Sequence, residues 1–156
     1  MLDLLNSILV RAQRKLQGIP WGAAHLYNKL PASYLRRFYT SVAREIATRS
    51  PASLLDVGCG VGGLLIELAH ETNASLLVGL DISRAMALLA RRNAEREGAS
   101  DRVSLVVANA HRMPIRKASL DFVVSTGTLH HIRRPREVFA ECSRVLKAGG
   151  EAWIYE

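Results

Sequence analysis

The stretch that decides the fold is a short apolar run followed by a glycine-rich turn, Leu54-Leu55-Asp56-Val57-Gly58-Cys59-Gly60-Val61-Gly62-Gly63. The apolar run predicts a buried strand, and a helical pattern over 63–72 follows the glycines. Glycines in such a turn let the backbone bend sharply and let a ligand approach it closely. Because the next helix points its free N–H groups at the turn, the unit predicts a ligand site at the end of the strand.

Strand and helix patterns alternate after this unit. The predicted strands are 53–57, 76–80, 103–108, 120–125 and 152–155, and the predicted helices between them cover 63–72, 84–97 and 136–147. Most of these strands are apolar on both faces, which is typical of a parallel sheet covered by helices on both sides. The pattern predicts a three-layer α/β fold over residues 51–156, with helices on both faces of a parallel sheet.

The first fifty residues form a different region. An apolar stripe at helical spacing predicts a helix over 2–17, and a second helix is predicted from about 32 to 48. Ser50-Pro51 separates this part from the rest. We therefore expect residues 1–50 to be a helical extension, acting as a lid or lying on the substrate side of the domain.

The charge of the chain is concentrated in that extension. Of a net charge of +7 over 156 residues, the first fifty carry eight basic residues against two acidic ones. This asymmetry indicates contact with an anionic partner such as a membrane surface, a nucleic acid or an acidic substrate, or else only a solvated helix face. No apolar run approaches the ~18 residues of a membrane span, and no secretory signal is recognisable, so a cytoplasmic location is expected.

The two cysteines, Cys59 and Cys142, provide neither a disulfide framework nor the spacing of metal ligands, and no metal site is predicted. Cys59 is expected to pack in the glycine turn as a small apolar residue. Cys142 lies on a predicted helix and is expected in the core rather than acting as a nucleophile.

The glycine turn fits two ligand classes. Gly58, Gly60 and Gly63 satisfy Gly-x-Gly-x-x-Gly, which alone would indicate an NAD(P)-binding oxidoreductase domain. Asp56 together with Gly58, Gly60 and Gly62 satisfies Asp-x-Gly-x-Gly-x-Gly. A tight strand–helix turn without any ligand is the third interpretation.

Asp81 follows the second predicted strand, nineteen residues after Gly62. A carboxylate at this position can accept both ribose hydroxyls of an adenosine, whichever cofactor carries it. The alternative is an acid favoured by the dipole of the next helix.

Three further segments distinguish the two cofactor classes. They are Ala108-Asn109-Ala110-His111-Arg112-Met113-Pro114, the strand end Ser125-Thr126-Gly127-Thr128-Leu129-His130-His131-Ile132, and Arg144-Val145-Leu146-Lys147-Ala148-Gly149-Gly150. With these motifs in order, residues 53–156 resemble a class I S-adenosylmethionine-dependent methyltransferase of the type 11 group, which includes the ubiquinone and menaquinone C-methyltransferases. The resemblance implies a Rossmann-like parallel sheet with the order 3-2-1-4-5, S-adenosylmethionine as cofactor and S-adenosylhomocysteine as product.

The resemblance also implies which residues hold the cofactor. The turn would pack against the methionine part, Asp56 would fix the turn and contact the amino group, and Asp81 would hold the ribose. The full set of implied cofactor-binding residues is Asp56, Gly58, Cys59, Gly60, Gly62, Asp81, Ile82, Asn109, Ala110 and Ser125. Ile82 would lie against the adenine, Asn109 and Ala110 would meet its edge, and Ser125 would line the methionine end.

Three departures from the family pattern stand out. Asn109 replaces an aspartate, and its amide oxygen is expected to accept a hydrogen bond from the adenine amino group. Ala148 replaces a common proline. The sequence ends after the fifth predicted strand, where the family adds a helix and two more strands. Strand five, with Trp153 and Ile154, is therefore expected to be an exposed edge, so that the chain is a fragment or a partner, such as a second copy, covers the edge.

The catalytic residues are unknown from sequence. Methyl transfer from a sulfonium requires alignment of the acceptor rather than a fixed acid or base. His130 or His131 can act as a base near the substrate, or can simply order the loop.

The acceptor is the least defined part of the reaction. The strand end 125–128 lacks the Asn-Pro-Pro-Tyr type of loop that resembling enzymes use on nucleic-acid bases, which favours a small-molecule or lipid-quinone acceptor. A nucleic-acid partner is not expected, although RNA or protein acceptors stay open. A catalytically inactive module that binds cofactor or a partner is the remaining alternative.

Overall fold

The computed structural model describes residues 11–12 and 32–156. The strands are β1 (Arg11–Ala12), β2 (Ser53–Val57), β3 (Leu76–Asp81), β4 (Val103–Val107), β5 (Leu120–Thr126) and β6 (Leu146–Tyr155). The helices are α1 (Ala32–Ala47), α2 (Gly63–Glu71), α3 (Arg84–Arg96) and α4 (Pro135–Val145), and a short 3-10 helix covers Leu129–His131.

The described strands form one parallel sheet in the order β1-β6-β5-β2-β3-β4. Counted from β2 as the first strand, the five main strands have the order 3-2-1-4-5, which confirms the prediction. β2 lies in the middle, with Leu54 opposite Leu77 on one side and Phe122 on the other. After β2 the chain adds β3 and β4 on one side of it, and then crosses back to add β5 and β6 on the other side. The order in which strands are added therefore reverses between β2 and β5.

Helices cover both faces of the sheet, because successive β2 residues point to opposite sides. Leu54 belongs to a core cluster with α1 and α2, whereas Leu55 belongs to a second cluster with α4. Both side chains are fully buried. This double burial explains why the strands read as continuous apolar runs.

Local signals set the helix ends. Ser83 caps α3, since its hydroxyl accepts a hydrogen bond from the Met86 N–H at 3.3 Å. Pro135 occupies the first turn of α4, where a missing N–H costs nothing. These caps were visible in the sequence, and the predicted bounds of α2 and α3 are confirmed to within one residue.

The second predicted helix is confirmed as α1, and it packs on α2. Val42, Ala43 and Ile46 form its buried side and join the core of the main domain. The helix therefore belongs to the same packed body as the sheet.

The outer edge of β6 differs from the prediction. The backbones of Trp153 and Ile154 pair in parallel with Arg11 and Ala12, and the Trp153 side chain is 2% exposed. The expectation of an exposed edge at these two residues was therefore wrong. The prediction of a helix at Arg11–Ala12 was also wrong, because the backbones of these two residues pair with the backbone of β6 instead. The rest of the predicted helix 2–17 lies outside the described residues.

The bounds of α4 and β6 also needed correction. α4 ends at Val145, two residues before the predicted end, and β6 begins at Leu146 rather than at Ala152. β6 continues through Gly149 and Gly150 as an irregular strand. Gly149 has a φ of 80°, and the pairing of β6 with β5 has a register shift between Leu120 and Phe122. Among the helices in the described part of the chain, none is sufficiently long and apolar to cross a bilayer.

Candidate cofactor site

The candidate site lies at the carboxyl end of the sheet, where β2 and β5 meet. In open parallel sheets ligands bind at such a reversal point, outside the strand ends. The glycine turn leaves β2 here and leads into α2, and the residues after β3, β4 and β5 surround it. The sequence placed its candidate residues on these same strand ends.

Hydrogen bonds to β3 and within the turn shape the glycine turn. The N–H groups of Gly58 and Cys59 both donate to the carbonyl oxygen of Leu80, at 2.7 and 3.1 Å, and the N–H of Gly62 donates to the carbonyl of Cys59 at 2.9 Å. Gly58, Gly60 and Gly62 have φ values of 78°, 53° and 82°, a region that side chains strongly disfavour. The three glycines of the predicted motif are therefore required by the backbone.

Gly60 faces open space. A Cβ on Gly60 would have no heavy atom within 4 Å, in contrast to Gly62, where it would lie 3.0 Å from the Ala90 Cβ. The surface of the turn at Gly60 is therefore accessible to a ligand, while Gly62 allows α3 to pack closely against the turn.

Asp56 has the most unusual environment in the site. It is 1% exposed, and its Oδ1 atom has no hydrogen-bond partner. Burial, with a smaller effect from the negative charge of Asp81, raises its pKa to about 7. Because an unpaired buried polar atom is costly, Asp56 is a candidate for a group whose missing donor a ligand supplies.

Asp81 supports the turn with both carboxylate oxygens. Oδ2 accepts a hydrogen bond from the Gly60 N–H at 2.9 Å, and Oδ1 accepts one from the Ser83 N–H at 2.8 Å. Each carboxylate oxygen can accept a second hydrogen bond, and Asp81 is only partly buried. The carboxylate can therefore hold the turn and still accept the hydroxyls of a ligand.

The residues predicted to surround an adenine lie after β3 and β4. Ile82 is 72% exposed, which leaves its face free for a planar ligand. Ala110 is buried against the second core cluster. The Asn109 Oδ1 atom accepts the His111 N–H at 2.9 Å and contacts the His111 Nδ1 atom at 2.6 Å. The Asn109 oxygen is therefore already in contact with His111, and an adenine amino group would compete with His111 for it.

Ser125 joins the two central strands rather than facing an opening. Its hydroxyl donates to the carbonyl of Val57 at 2.9 Å, and the residue is 3% exposed. It lies beside the site at the end of β5, as predicted, but its polar group is already used within the protein. The residues after it, 127–129, are partly exposed at the mouth of the site.

The two cysteines are buried, whereas the two histidines follow β5. Cys59 and Cys142 are both buried, and burial raises the pKa of each thiol, to about 12 for Cys142, so both remain protonated at neutral pH. His130 and His131 lie in the short 3-10 helix after β5, and His131 is exposed. The role of either histidine as a base stays a prediction.

Sequence analysis missed contacts that join distant segments around the turn. Thr128 lies against Gly58, where an added Cβ would lie 2.2 Å from the Thr128 Cγ2 atom. The Tyr39 ring lies against Gly63, where an added Cβ would be 2.7 Å from the ring. The sequence carried no local signal for either contact, because each joins residues that are far apart in the chain. Only the structure shows that Gly63 lacks the positive φ of the other turn glycines.

Arg144 and Glu141 hold the loop that carries Asn109 and Ala110. The Arg144 guanidinium donates to the carbonyls of Ile115 and Met113 at 2.8 and 2.9 Å, and Glu141 accepts the Met113 N–H at 2.7 Å. Hydrogen bonds from Arg144 hold the pKa of the Glu141 carboxyl below its usual range. The pair ties the loop after β4 to α4.

Together, the sheet order, the glycine turn and the two carboxylates define a Rossmann-like domain with a candidate site for a small cofactor. The family model of the methyltransferase domain matches residues 55–154. The chain therefore belongs to the methyltransferase domain family, and the motifs that the sequence shares with class I S-adenosylmethionine-dependent methyltransferases are confirmed as a family relationship.

Similar proteins include enzymes that methylate lipid-like molecules. The chain is 36% identical to the sterol 24-C-methyltransferase ERG6B of Gibberella zeae over 115 residues, which are 74% of this chain and 30% of the relative. A candidate S-adenosyl-L-methionine-dependent methyltransferase of Methanococcus maripaludis has 31% identity and a TM-score of 0.71, covering 74% of this chain and 54% of that one.

A third similar protein has been solved with ligands bound. It is the geranyl diphosphate C-methyltransferase of Streptomyces coelicolor, in complex with Mg2+, geranyl diphosphate and S-adenosyl-L-homocysteine. It has 26% identity and a TM-score of 0.60, covering 70% of this chain and 43% of that one. The chain spans about a third of the length of the curated relatives that it matches.

Proposed function

We propose that this chain binds S-adenosylmethionine and transfers its methyl group to a small, lipid-like acceptor. The observation that carries the proposal is the glycine turn at the reversal point of the sheet, where Gly60 faces open space and the buried Asp56 has an unpaired oxygen. Family membership favours this cofactor over the dinucleotide suggested by Gly58, Gly60 and Gly63.

The described residues fit such a cofactor. Asp56 has an unpaired oxygen suited to a cationic donor such as an amino group. The Asp81 carboxylate has lone pairs left for ribose hydroxyls, and the exposed Ile82 offers an apolar face for the adenine. We assign the cofactor to these residues and to the glycine turn, with Asn109, Ala110 and Ser125 at its border.

When bound, the cofactor supplies a methyl group that is already activated by the sulfonium. The chain has to hold the acceptor in line with that group and exclude water, for which no acid or base is required. The segment 126–129, at the end of β5, is placed beside the turn by the Thr128 hydroxyl, which lies 3.2 Å from the Gly58 carbonyl oxygen. We infer that this segment lines the acceptor side.

A lipid-like acceptor is supported by the sterol and geranyl diphosphate enzymes among the similar proteins. We further propose that residues 1–50 are the substrate-side extension of the 51–156 domain, in a protein of the cytoplasm. Their basic character supports peripheral contact with an anionic membrane, which flotation of the full chain with anionic vesicles at low and high salt would test.

Isothermal titration calorimetry is the first test of the proposal. The chain is expected to bind S-adenosylhomocysteine and S-adenosylmethionine and to give no heat with NAD. Binding of NAD with no response to either sulfur compound would overturn the proposal.

A radiolabelled methyl group then tests transfer. We expect label in the organic phase when sterols, prenyl diphosphates or quinones are supplied, and none in RNA or protein. Label in RNA or protein would contradict the acceptor class, and binding without transfer to any class would identify an inactive binding module.

A further inference from the structure

Helix α1 is held on α2 in one register by polar contacts. The buried Glu67 of α2 accepts hydrogen bonds from the Arg36 Nε atom at 3.1 Å and from the Thr40 hydroxyl at 2.7 Å. Further along the two helices, Arg44 and Glu71 form an ion pair at 3.1 Å. Because a buried carboxylate is costly without its partners, sliding α1 along α2 would be strongly unfavourable.

This register places Tyr39, the residue before Thr40, against the start of α2. The ring lies so close to Gly63 that an added Cβ would be 2.7 Å from the Cε2 atom and 3.0 Å from the Cδ2 atom. Gly63 does not have the positive φ that explains Gly58, Gly60 and Gly62. A side chain at position 63 would therefore meet the ring, so lack of space rather than backbone conformation disfavours one there.

Tyr39 is held firmly in this place. Its ring packs on Phe38, with centroids 5.6 Å apart, and Phe38 in turn packs on Tyr155 of β6. The tyrosine is partly buried, whereas Tyr34 on the same helix is 47% exposed. Tyr39 also lies outside residues 55–154, the part that matches the family.

Gly63 directly follows the glycine turn, and the first N–H groups of α2 have no carbonyl partner within their own helix. The Tyr39 ring covers one side of Gly63, and electrostatic attraction to a ligand is stronger where water is excluded. The unpaired oxygen of the buried Asp56, at the other end of the same turn, is independent evidence for a charged ligand group here.

We propose that Tyr39 is a positioning residue for the amino-acid end of the cofactor, closing the site over the start of α2. The inference rests on the proposed function, since it assigns one end of the same ligand. In this role Tyr39, which α1 supplies, makes the site selective for adenosine compounds that carry a charged amino-acid tail.

The test compares two ligands by calorimetry, S-adenosylhomocysteine and 5′-methylthioadenosine, which share the adenosine but differ in the amino-acid tail. Tyr39→Ala is expected to weaken S-adenosylhomocysteine binding about tenfold or more and to leave 5′-methylthioadenosine within about twofold. Tyr39→Phe, which keeps the ring, should retain both affinities, as should the matched control Tyr34→Ala.

A purely structural role would lower the melting temperature of Tyr39→Ala and change both affinities alike, and that result would overturn the inference. Unchanged binding of both ligands would also overturn it. If Tyr39→Ala does not fold, Tyr39→Leu, which keeps part of the apolar volume but not the ring over Gly63, should show a smaller loss that is again selective for S-adenosylhomocysteine. If the unaltered chain fails to bind S-adenosylhomocysteine, the proposed function itself fails.

Discussion

The environment of Asp56 predicts that one substitution stabilises the protein in a pH-dependent way. Burial and the charge of Asp81 raise the pKa of Asp56 from 3.8 to about 7. A carboxyl group whose pKa is raised by folding binds its proton more tightly in the folded state. The free energy of unfolding therefore falls as the pH rises from the unfolded pKa to the folded one, and the whole penalty is present above it.

The size of the penalty follows from the shift. At 1.36 kcal/mol for each pKa unit, the raised pKa of Asp56 lowers the free energy of unfolding by about 4 kcal/mol at about pH 8 and by about 2 kcal/mol at about pH 5. Asp56→Asn removes the charge but not the shape. The free energy of unfolding of the variant, relative to that of the unaltered protein, should therefore rise by about 2–3 kcal/mol between about pH 5 and about pH 8.

Urea unfolding of both proteins at the two pH values measures this gain directly. Taking the difference at each pH cancels the contributions of other acids, such as Asp121 and Glu141, whose lowered pKa values act in the opposite direction. Any fixed cost of placing an amide in this buried site is also the same at both pH values. A difference between variant and unaltered protein that does not change with pH would refute the reasoning.

Two further substitutions test the turn. Asp81→Ala should weaken S-adenosylhomocysteine binding by about 1–3 kcal/mol, measured by calorimetry, because it removes an acceptor for the ribose and the support of Gly60, whereas Asp101→Ala, an exposed acid before β4, should bind normally. Unchanged affinity in a folded Asp81→Ala variant would remove the ribose assignment. Gly58→Ala should lower the free energy of unfolding by about 1–3 kcal/mol more than Gly60→Ala, since both force a positive φ but only Gly58 contacts Thr128. Equal losses in urea unfolding would show that the contact with Thr128 carries no steric penalty.

Most of the fold could be predicted because its signals are local. The bounds of β2, Ser53–Val57, follow from one apolar run, and the capping hydroxyl of Ser83 lies next to the helix that it starts. The sheet order came from the family resemblance rather than from the periodicity. The prediction failed for β6. Gly149 and Gly150 are typical of a turn, but the neighbouring β5 keeps that segment in the sheet.

The candidate site also has a part that could be predicted from the sequence and a part that could not. Its glycines and acids could be placed because they lie on one turn or at strand ends. The contacts of Tyr39 with Gly63, of Thr128 with Gly58 and of Arg144 with the loop after β4 join segments that are far apart in sequence, so no local pattern encodes them. The pairing of Arg11 and Ala12 with β6 is of the same kind.

The two carboxylates of the site differ in a way that explains why both are useful. Asp81 already receives two backbone N–H groups, so its charge is compensated in the protein itself and it shapes the turn. Asp56 is buried with one oxygen unpaired, so its charge destabilises the fold at neutral pH. A ligand cation that pairs with this oxygen would remove that penalty on binding, and the protein would gain stability together with the ligand. Under the proposed function, Asp56→Asn should therefore stabilise the free protein and weaken the binding of the cofactor.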